Sequence, residues 1–370
     1  MKHLLLFFIM LVSLVANGQT QSPYYLEITQ TLQNYIHGTS YNDPDLIKRA
    51  FAEDAQLLLS KKNQEMWLVS PAEYASWFKK SGKNNGRVGE VLSIDVEGDI
   101  ATAKVEILIP EKSMRYIDMF LLKNLSGNWK VVSKAATSQL AQRNGKRILF
   151  IVSNAHFHGN STLPTGVSFS EIVKAYDTFK NAGYTVDFVS PKGGAIPLAY
   201  INTSEKIHKR YLYDSDFMHA IKHTKKPNQI DPANYLAVHY VGGGNAMYGV
   251  ADNIEIQNIT MTIYEEHSGI VSSVCHGTAG IVNLKTKDGD YLVSGKRISG
   301  YPDSYENQSR AYFKEFPFLI QKTIEKRGGQ FLYSDRNTAH VEVDGRIVTG
   351  QNHLSSSLVA KKMIEVLQNK

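Results

Sequence analysis

Gly269-Ile270-Val271-Ser272-Ser273-Val274-Cys275-His276-Gly277-Thr278-Ala279-Gly280-Ile281-Val282-Asn283-Leu284 carries the reading of this chain. Residues 269–274 predict a short buried strand, and residues 279–284 predict the start of a helix. Cys275 falls at the join. A nucleophile at a strand-to-helix turn sits on a tight elbow, with its side chain exposed and backbone N–H groups converging nearby. A helix N-terminus also favours thiolate over thiol. Cys275 is the only cysteine of the 370 residues. A lone cysteine is more often buried filler than a nucleophile, so its surroundings have to decide.

Outward from the elbow, apolar strands alternate with helices. Residues 148–152, 185–189, 236–241 and 345–349 predict further strands, and 168–181 and 358–367 predict helices. Continuous apolar strands joined by helices imply a mainly parallel sheet covered on both faces. Ligands of such sheets bind beyond the strand C-termini. Both Cys275 and the run Gly242-Gly243-Gly244 lie at such ends.

The first part of the chain has a different texture. Residues 24–38 carry helical periodicity, Asn42-Asp43-Pro44 caps a second helix, and a third follows Ser70-Pro71. After Gly86 come strands at 87–96, 100–109, 116–124 and 129–133, joined by hairpin-like turns. Helices followed by an antiparallel meander predict an α+β domain over 22–136, with a polar connector at 137–146 and the α/β domain over 147–370. Asp54, His37, Tyr116 and Asp118 either face a cavity of the first domain or serve as caps and solvent-facing sheet residues.

Lys2 followed by an apolar run to Ala16, with small Ala16 and Gly18, describes a secretory signal peptide over residues 1–18. The apolar run is short for a bilayer span. The expectation is an exported, periplasmic protein with no stable membrane insertion. A free thiol in an oxidising compartment is costly unless it is buried or used. The formal charge of +6 is spread over scattered lysines and arginines with no basic stripe interleaved with aromatics, which argues against nucleic-acid binding.

Residues 22–136 resemble the NTF2-like superfamily, in particular its lumazine-binding-like branch. The resemblance rests on Asn42-Asp43-Pro44, Ala50-Phe51 and Asp54-Ala55, and on the ending Ile117-Asp118-Met119-Phe120 with Gly127-Asn128-Trp129. It implies a curled sheet around a cavity, an accessory role in binding, and a homodimer. Residues 147–368 resemble the DJ-1/PfpI superfamily, related to class I glutamine amidotransferases, and especially its Hsp31-like branch. The matching runs are Thr165-Gly166-Val167 with Glu171, residues 183–194, Gly242-Gly243-Gly244, Val274-Cys275-His276-Gly277, residues 295–300, Phe316-Pro317-Phe318-Leu319 and residues 345–352. The implied fold is a flavodoxin-like α/β three-layer sandwich.

That resemblance implies that Cys275 is the nucleophile, that Glu171 hydrogen-bonds it, and that His276 is the general base. An acidic residue, Glu306 or its runner-up Asp303, would orient the imidazole. Thiolate needs a hydrogen-bonding environment, imidazole exchanges protons near neutral pH, and a carboxylate fixes its tautomer. Gly243, Gly244 and the His276 N–H are the candidates for stabilising an oxyanion; a tight structural turn is the bland alternative. Gly244-Asn245-Ala246 departs from the Gly-His-Gly common among relatives, so Asn245 alters the pocket. His156 and His158 are candidates for its mouth. No third ligand accompanies them, so no metal is expected, and Gly242-Gly243-Gly244 lacks the spacing of a nucleotide fingerprint, so no cofactor is expected either. The implied chemistry is a glyoxalase III-like conversion of methylglyoxal and related dicarbonyls to 2-hydroxy acids. The alternatives are a cysteine-dependent amidase, peptidase or deglycase acting on amides, and a stress chaperone or thiol sensor without turnover.

Overall fold

The computed structural model describes residues 23–61 and 63–369. The leader expected over residues 1–18 lies outside the described residues. No helix among the described residues is long and apolar enough to cross a membrane.

The first half comprises α1 (Tyr25–Ser40), α2 (Pro44–Ala50), β1 (Phe51–Lys61), β2 (Gln64–Val69), α3 (Pro71–Ser76), β3 (Val88–Glu97), β4 (Ile100–Ile109), β5 (Met114–Leu125) and β6 (Asn128–Leu140). Helix α1 buries Ile28, Leu32, Tyr35 and Ile36, one turn apart on a single face. Asp43 starts α2 by accepting from the N–H groups of Asp45 (3.0 Å) and Leu46 (3.2 Å), with Pro44 in the first helical position. The six strands run in the order β2-β1-β6-β5-β4-β3, with α1 packed across β3 and β6. All pairs are antiparallel except β1 with β6.

Two sequence expectations need correction here. Strands β1 and β2 interpose between α2 and α3, where the sequence predicts only helices. Polar Glu53, Asp54 and Gln56 hide the inward pair Ala55 and Leu57 of β1. Strand β6 also continues to Leu140, so residues 137–140 of the expected connector are strand, paired with β5 as far as Met114. Of the polar residues singled out, Asp54 and His37 are exposed. Asp118 is buried, accepts a 2.6 Å hydrogen bond from the Tyr35 hydroxyl and pairs with buried Lys134 at 3.0 Å. Burial opposes the Lys134 charge, but Asp118 and Tyr74 together outweigh it and raise the ammonium pKa.

The second half comprises β7 (Arg147–Ile151), β8 (Val167–Ser168), α4 (Phe169–Asn181), β9 (Thr185–Val189), β10 (Leu198–Ala199), α5 (Lys206–Leu212), α6 (Ser215–Lys222), β11 (Tyr235–Tyr240) and α7 (Ile254–Glu265). It continues with β12 (Ile270–Val274), β13 (Arg297–Ile298), α8 (Ala311–Lys314), α9 (Ile320–Lys326), β14 (Gln330–Phe331), β15 (Val341–Asp344), β16 (Ile347–Gly350) and α10 (Ser356–Gln368). The main sheet runs β15-β16-β12-β11-β7-β9, parallel throughout except for the β15 edge. Alternate residues of β7 enter opposite cores. Leu149 and Ile151 pack with Ile256 and Ile263 of α7, while Ile148 and Phe150 pack with Ile172 of α4 and Met363 of α10. The apolar runs are thus strands buried on both faces.

A polar seam joins the halves. Arg147, at the start of β7, binds Asp187 of β9 (2.8 Å), approaches Glu90 of β3 (3.7 Å) and donates to the Gly89 carbonyl (3.2 Å). Asp187 also pairs with Lys225 (2.9 Å) and accepts from Tyr235 (2.8 Å). Lys104 reaches Asp216 of α6 at 2.7 Å, and the Tyr25 hydroxyl lies 2.9 Å from His219 Nε2.

Candidate functional site

Strands β11 and β12 are parallel neighbours, and their C-terminal ends deliver Gly242-Gly243-Gly244 and Cys275 to the same place. Gly243 has φ +108°, and a Cβ there would stand 2.4 Å from the Gly166 carbonyl oxygen and the Ser168 nitrogen, so only glycine fits. Gly277 is fixed by contact instead: a Cβ would meet the Tyr240 carbonyl oxygen at 2.3 Å.

Cys275 has φ +56°, a left-handed conformation that costs a non-glycine residue about 1–3 kcal/mol. The elbow expected from sequence is therefore present in the backbone. The segment after the elbow differs from the expectation: Cys275–Ile281 is 3-10, where an α-helix is expected from Ala279. Gly277 and Gly280 favour helix poorly, and both are pressed against Tyr240. The thiol environment differs too. Burial foremost, then the Glu171 carboxylate, push the Cys275 pKa well above its usual value, while the His276 N–H opposes this.

Glu171 lies in the first turn of α4, fully buried, and accepts from the Gly242 N–H at 2.9 Å. Burial raises its pKa to about 7, against the lowering effects of its hydrogen bond with Cys275 and the nearby His276. Glu171 and Cys275 thus stand close enough for one proton to serve both. A protonated Glu171 is a donor to sulfur and no longer repels the thiolate.

His276 Nδ1 lies 3.5 Å from Cys275 Sγ, and Nε2 lies 2.6 Å from Glu306 Oε1. A carboxylate accepting from Nε2–H leaves the Nδ1 lone pair facing the sulfur. Tyr301 stacks on the imidazole with ring centroids 4.6 Å apart, and the Tyr312 hydroxyl donates to Glu306 Oε2 at 3.2 Å. Asp303 is elsewhere: it accepts from the N–H groups of Gln321 (3.1 Å) and Lys322 (3.0 Å) at the start of α9. Of the two acidic candidates, Glu306 meets the histidine and Asp303 caps a helix.

The remaining expectations divide. Gly244 opens a short 3-10 turn, Gly244–Met247, whose first N–H groups have no intrahelical acceptor. The His276 N–H is directed to the cysteine sulfur. Asn245 is fully buried, and its amide group donates to the carbonyls of Ser153 (3.1 Å) and Ala155 (3.3 Å). It ties the glycine loop to the segment after β7, satisfying carbonyls that would otherwise be buried unpaired, and is not a pocket wall. His156 is exposed, whereas His158 turns inward, 3.2 Å from the Tyr248 hydroxyl and packed on Tyr312 and Phe316. Sequence reasoning missed Tyr301, Tyr312 and Tyr200. Tyr200, which has φ +57° and is 68% exposed, feels the charges of Cys275 and Glu171. Tyr200 and Tyr301 lie outside helices and strands, and Tyr312 lies in α8, which is too short for periodicity to mark it; Tyr301 and Tyr312 have as their one signal the density of tyrosines beside the Glu306 segment. Among the described residues, no group of three or more His, Cys, Asp or Glu is placed to hold a metal.

Comparison with known proteins agrees with this layout. Residues 162–366 match the model of the DJ-1/PfpI family, and residues 25–135 match that of putative lumazine-binding domains. Glyoxalase 3 of Candida albicans is 29% identical over 219 residues, covering 55% of this chain and 90% of its own length. The glutathione-independent glyoxalase HSP31 of Saccharomyces cerevisiae is 28% identical, with 55% and 90% covered. The crystal structure of Candida albicans glyoxalase III superposes with a TM-score of 0.55 at 26% identity, covering 60% of this chain and 97% of its own. The 24 kDa rapid encystment protein of Francisella tularensis shares the fold, with a TM-score of 0.57 at 24% identity over 60% of this chain and 99% of its own.

Proposed function

Because this chain belongs to the DJ-1/PfpI family and carries its one cysteine beside a histidine–carboxylate pair, we propose that it is a glutathione-independent, Hsp31-like glyoxalase. Its substrates are methylglyoxal and related small dicarbonyls, and its products are 2-hydroxy acids. The observation that carries the reading is the line from Sγ through the His276 imidazole to Glu306, with buried Glu171 on the other side of the sulfur. The relatives named as glyoxalases support the same class.

The Cys275 sulfur adds to the aldehyde carbon of methylglyoxal as its proton passes to the Glu171 carboxylate, and Glu171 returns that proton to the alkoxide, giving a hemithioacetal on Cys275. Nδ1 of His276 removes the hydrogen from that carbon, and the electron pair moves toward the adjacent carbonyl to give an enediol. Glu306 balances the positive charge that forms on the imidazole. Return of the proton to the neighbouring carbon gives a lactoyl thioester, and water hydrolyses it to lactate and free thiol. The sum is methylglyoxal plus water to lactic acid, with no net oxidation. The N–H groups of Gly243 and Gly244 hold the oxyanions of addition and hydrolysis.

In this reading residues 22–136 form an accessory domain that supports a homodimer, and residues 1–18 deliver the enzyme to the periplasm. The deciding experiment measures lactate formed from methylglyoxal without glutathione or added metal, beside Cys275→Ala. Turnover that disappears in the variant is the expected result. A folded protein whose thiol reacts with iodoacetamide but which forms no lactate overturns the reading and directs attention to amides and glycated peptides.

A further inference from the structure

The glycine loop separates two groups of side chains. On one flank, a Cβ at Gly242 would stand 2.5 Å from Glu171 Oε2 and 2.9 Å from the Cβ of Cys275. On the other, a Cβ at Gly244 would stand 2.9 Å from Cε1 and 3.4 Å from Nε2 of His158. The same Phe316 ring contacts both imidazoles, with centroids 6.2 Å from His158 and 5.9 Å from His276. Tyr312 closes the circuit: it packs on His158 at 5.3 Å and gives its hydroxyl to Glu306. His158 and the Cys275–His276 pair therefore flank the same glycine loop and share Phe316 and the Tyr312–Glu306 pair as neighbours.

His158 is also prepared for a particular kind of contact. Its Nδ1 lies 3.2 Å from the Tyr248 hydroxyl; with that hydroxyl donating to Nδ1, the proton of the neutral ring sits on Nε2. Nε2 has no hydrogen-bond partner among the described residues and is the nitrogen nearer the loop. Burial, then the neighbouring His276, depress the His158 pKa against the pull of Glu306 and Glu315, which keeps the ring neutral at pH 7. A neutral Nε2–H facing the site is a donor for a carbonyl oxygen and no competitor for the thiol proton.

We propose that His158 is the second substrate contact of this site. Its Nε2–H holds the oxygen of the carbonyl next to the carbon that Cys275 attacks, and Tyr248 sets its tautomer. The inference rests on the dicarbonyl reading and deepens it: the site reads two adjacent carbonyls, one by addition to sulfur and one by this hydrogen bond. As the enediol forms, negative charge grows on that second oxygen, so the bond strengthens along the reaction.

The test uses the full processed protein with His158→Ala, His158→Gln and Tyr248→Phe. Wild-type turnover of methylglyoxal is measured first; its absence overturns the glyoxalase reading itself. With turnover in hand, His158→Ala should lower kcat/KM about 100-fold, mainly through kcat. The rate of Cys275 alkylation by iodoacetamide should stay near wild type. His158→Gln, which returns an N–H donor, should recover a large part of the loss, and Tyr248→Phe should fall between. In a second readout, methylglyoxal should protect Cys275 from alkylation better than propanal does in wild type, and this advantage should vanish in His158→Ala. Wild-type kinetics in His158→Ala, no recovery with glutamine, or activity and alkylation lost together would overturn the assignment.

Discussion

Replacing Glu306 with glutamine keeps the size of the side chain and its capacity to accept from Nε2–H, and removes the charge together with the acceptor oxygen that Tyr312 uses. The carboxylate oxygen lies 2.6 Å from His276 Nε2, and the two side chains are 6% and 13% exposed, so solvent screens the pair little. Abstracting the hydrogen of the hemithioacetal turns His276 into a cation. At a charge separation of ~4 Å and an effective dielectric constant of ~20, Glu306 stabilises that cation by about 4 kcal/mol. A neutral amide in the same place retains about 1 kcal/mol as an ordinary hydrogen bond. The difference of about 3 kcal/mol appears only once the imidazolium forms, so it falls on kcat and amounts to about two decades. The assay is steady-state lactate production by Glu306→Gln, with the melting temperature and alkylation rate of Cys275 as controls for fold and thiol. A kcat within about threefold of wild type would refute the argument, because the charge would then do nothing for the step it faces.

Glu171→Gln bears on the proton shared with Cys275. The folded pKa of Glu171 is raised to about 7 from 4.5, so between these values the folded protein holds a proton the unfolded chain has released, and stability falls as pH rises. The glutamine variant lacks that loss; its stability relative to wild type should rise by on the order of 3 kcal/mol between pH 5 and pH 8, as read by denaturant unfolding at each pH. Asp187→Ala removes the nearest carboxylate from buried Arg147, which keeps Glu90 and the Gly89 carbonyl, and from half-exposed Lys225, and should cost about 1–3 kcal/mol, detected as a lower urea midpoint. An unchanged midpoint would mean that the seam contributes nothing to cooperative folding.

The layers of the second domain are legible in the sequence because each apolar run is a strand buried on both faces, which needs no partner knowledge to recognise. Cys275 is legible because a single residue pair sits between a strand pattern and glycines. The first domain is less so: β1 carries Glu53 and Asp54 outward, and its alternation is too broken to separate it from the helices around it. The elbow misleads in one respect. A strand followed by small residues suggests a helix dipole that lowers the thiol pKa, yet the segment is 3-10 and burial raises it. Which of Glu306 and Asp303 meets His276 is decided by a turn of the chain that no local pattern encodes. The difference between His156 and His158 is a matter of which way two neighbouring side chains turn, and only the packing of Tyr248, Tyr312 and Phe316 settles it.

The charges around the site make a further demand on the substrate. The charged groups that most affect Cys275, His158 and Tyr200 are Glu171, Glu306 and Glu315, together with the neighbouring imidazole and phenol groups, whereas the arginines nearby, Arg336 and Arg310, act on Tyr301 and Tyr312. A substrate carboxylate brought to the sulfur meets like charge, and at ~8 Å with an effective dielectric constant of ~20 to 40 each fixed carboxylate costs about 1–2 kcal/mol. A neutral aldehyde does not meet this barrier, and an anionic 2-hydroxy acid formed in place is pushed outward, which favours release. Glyoxylate, a dicarbonyl whose second carbonyl is a carboxylate, should therefore react at least about tenfold less efficiently than methylglyoxal in kcat/KM. Glu171 and Glu306 are buried, and salt screens buried charges far less than exposed ones, so most of the gap should persist from ~0.01 M to ~0.15 M ionic strength. Equal kcat/KM for the two compounds at low salt would mean that a cation reaches the substrate, and the acidic character of the site would then have no part in its selectivity.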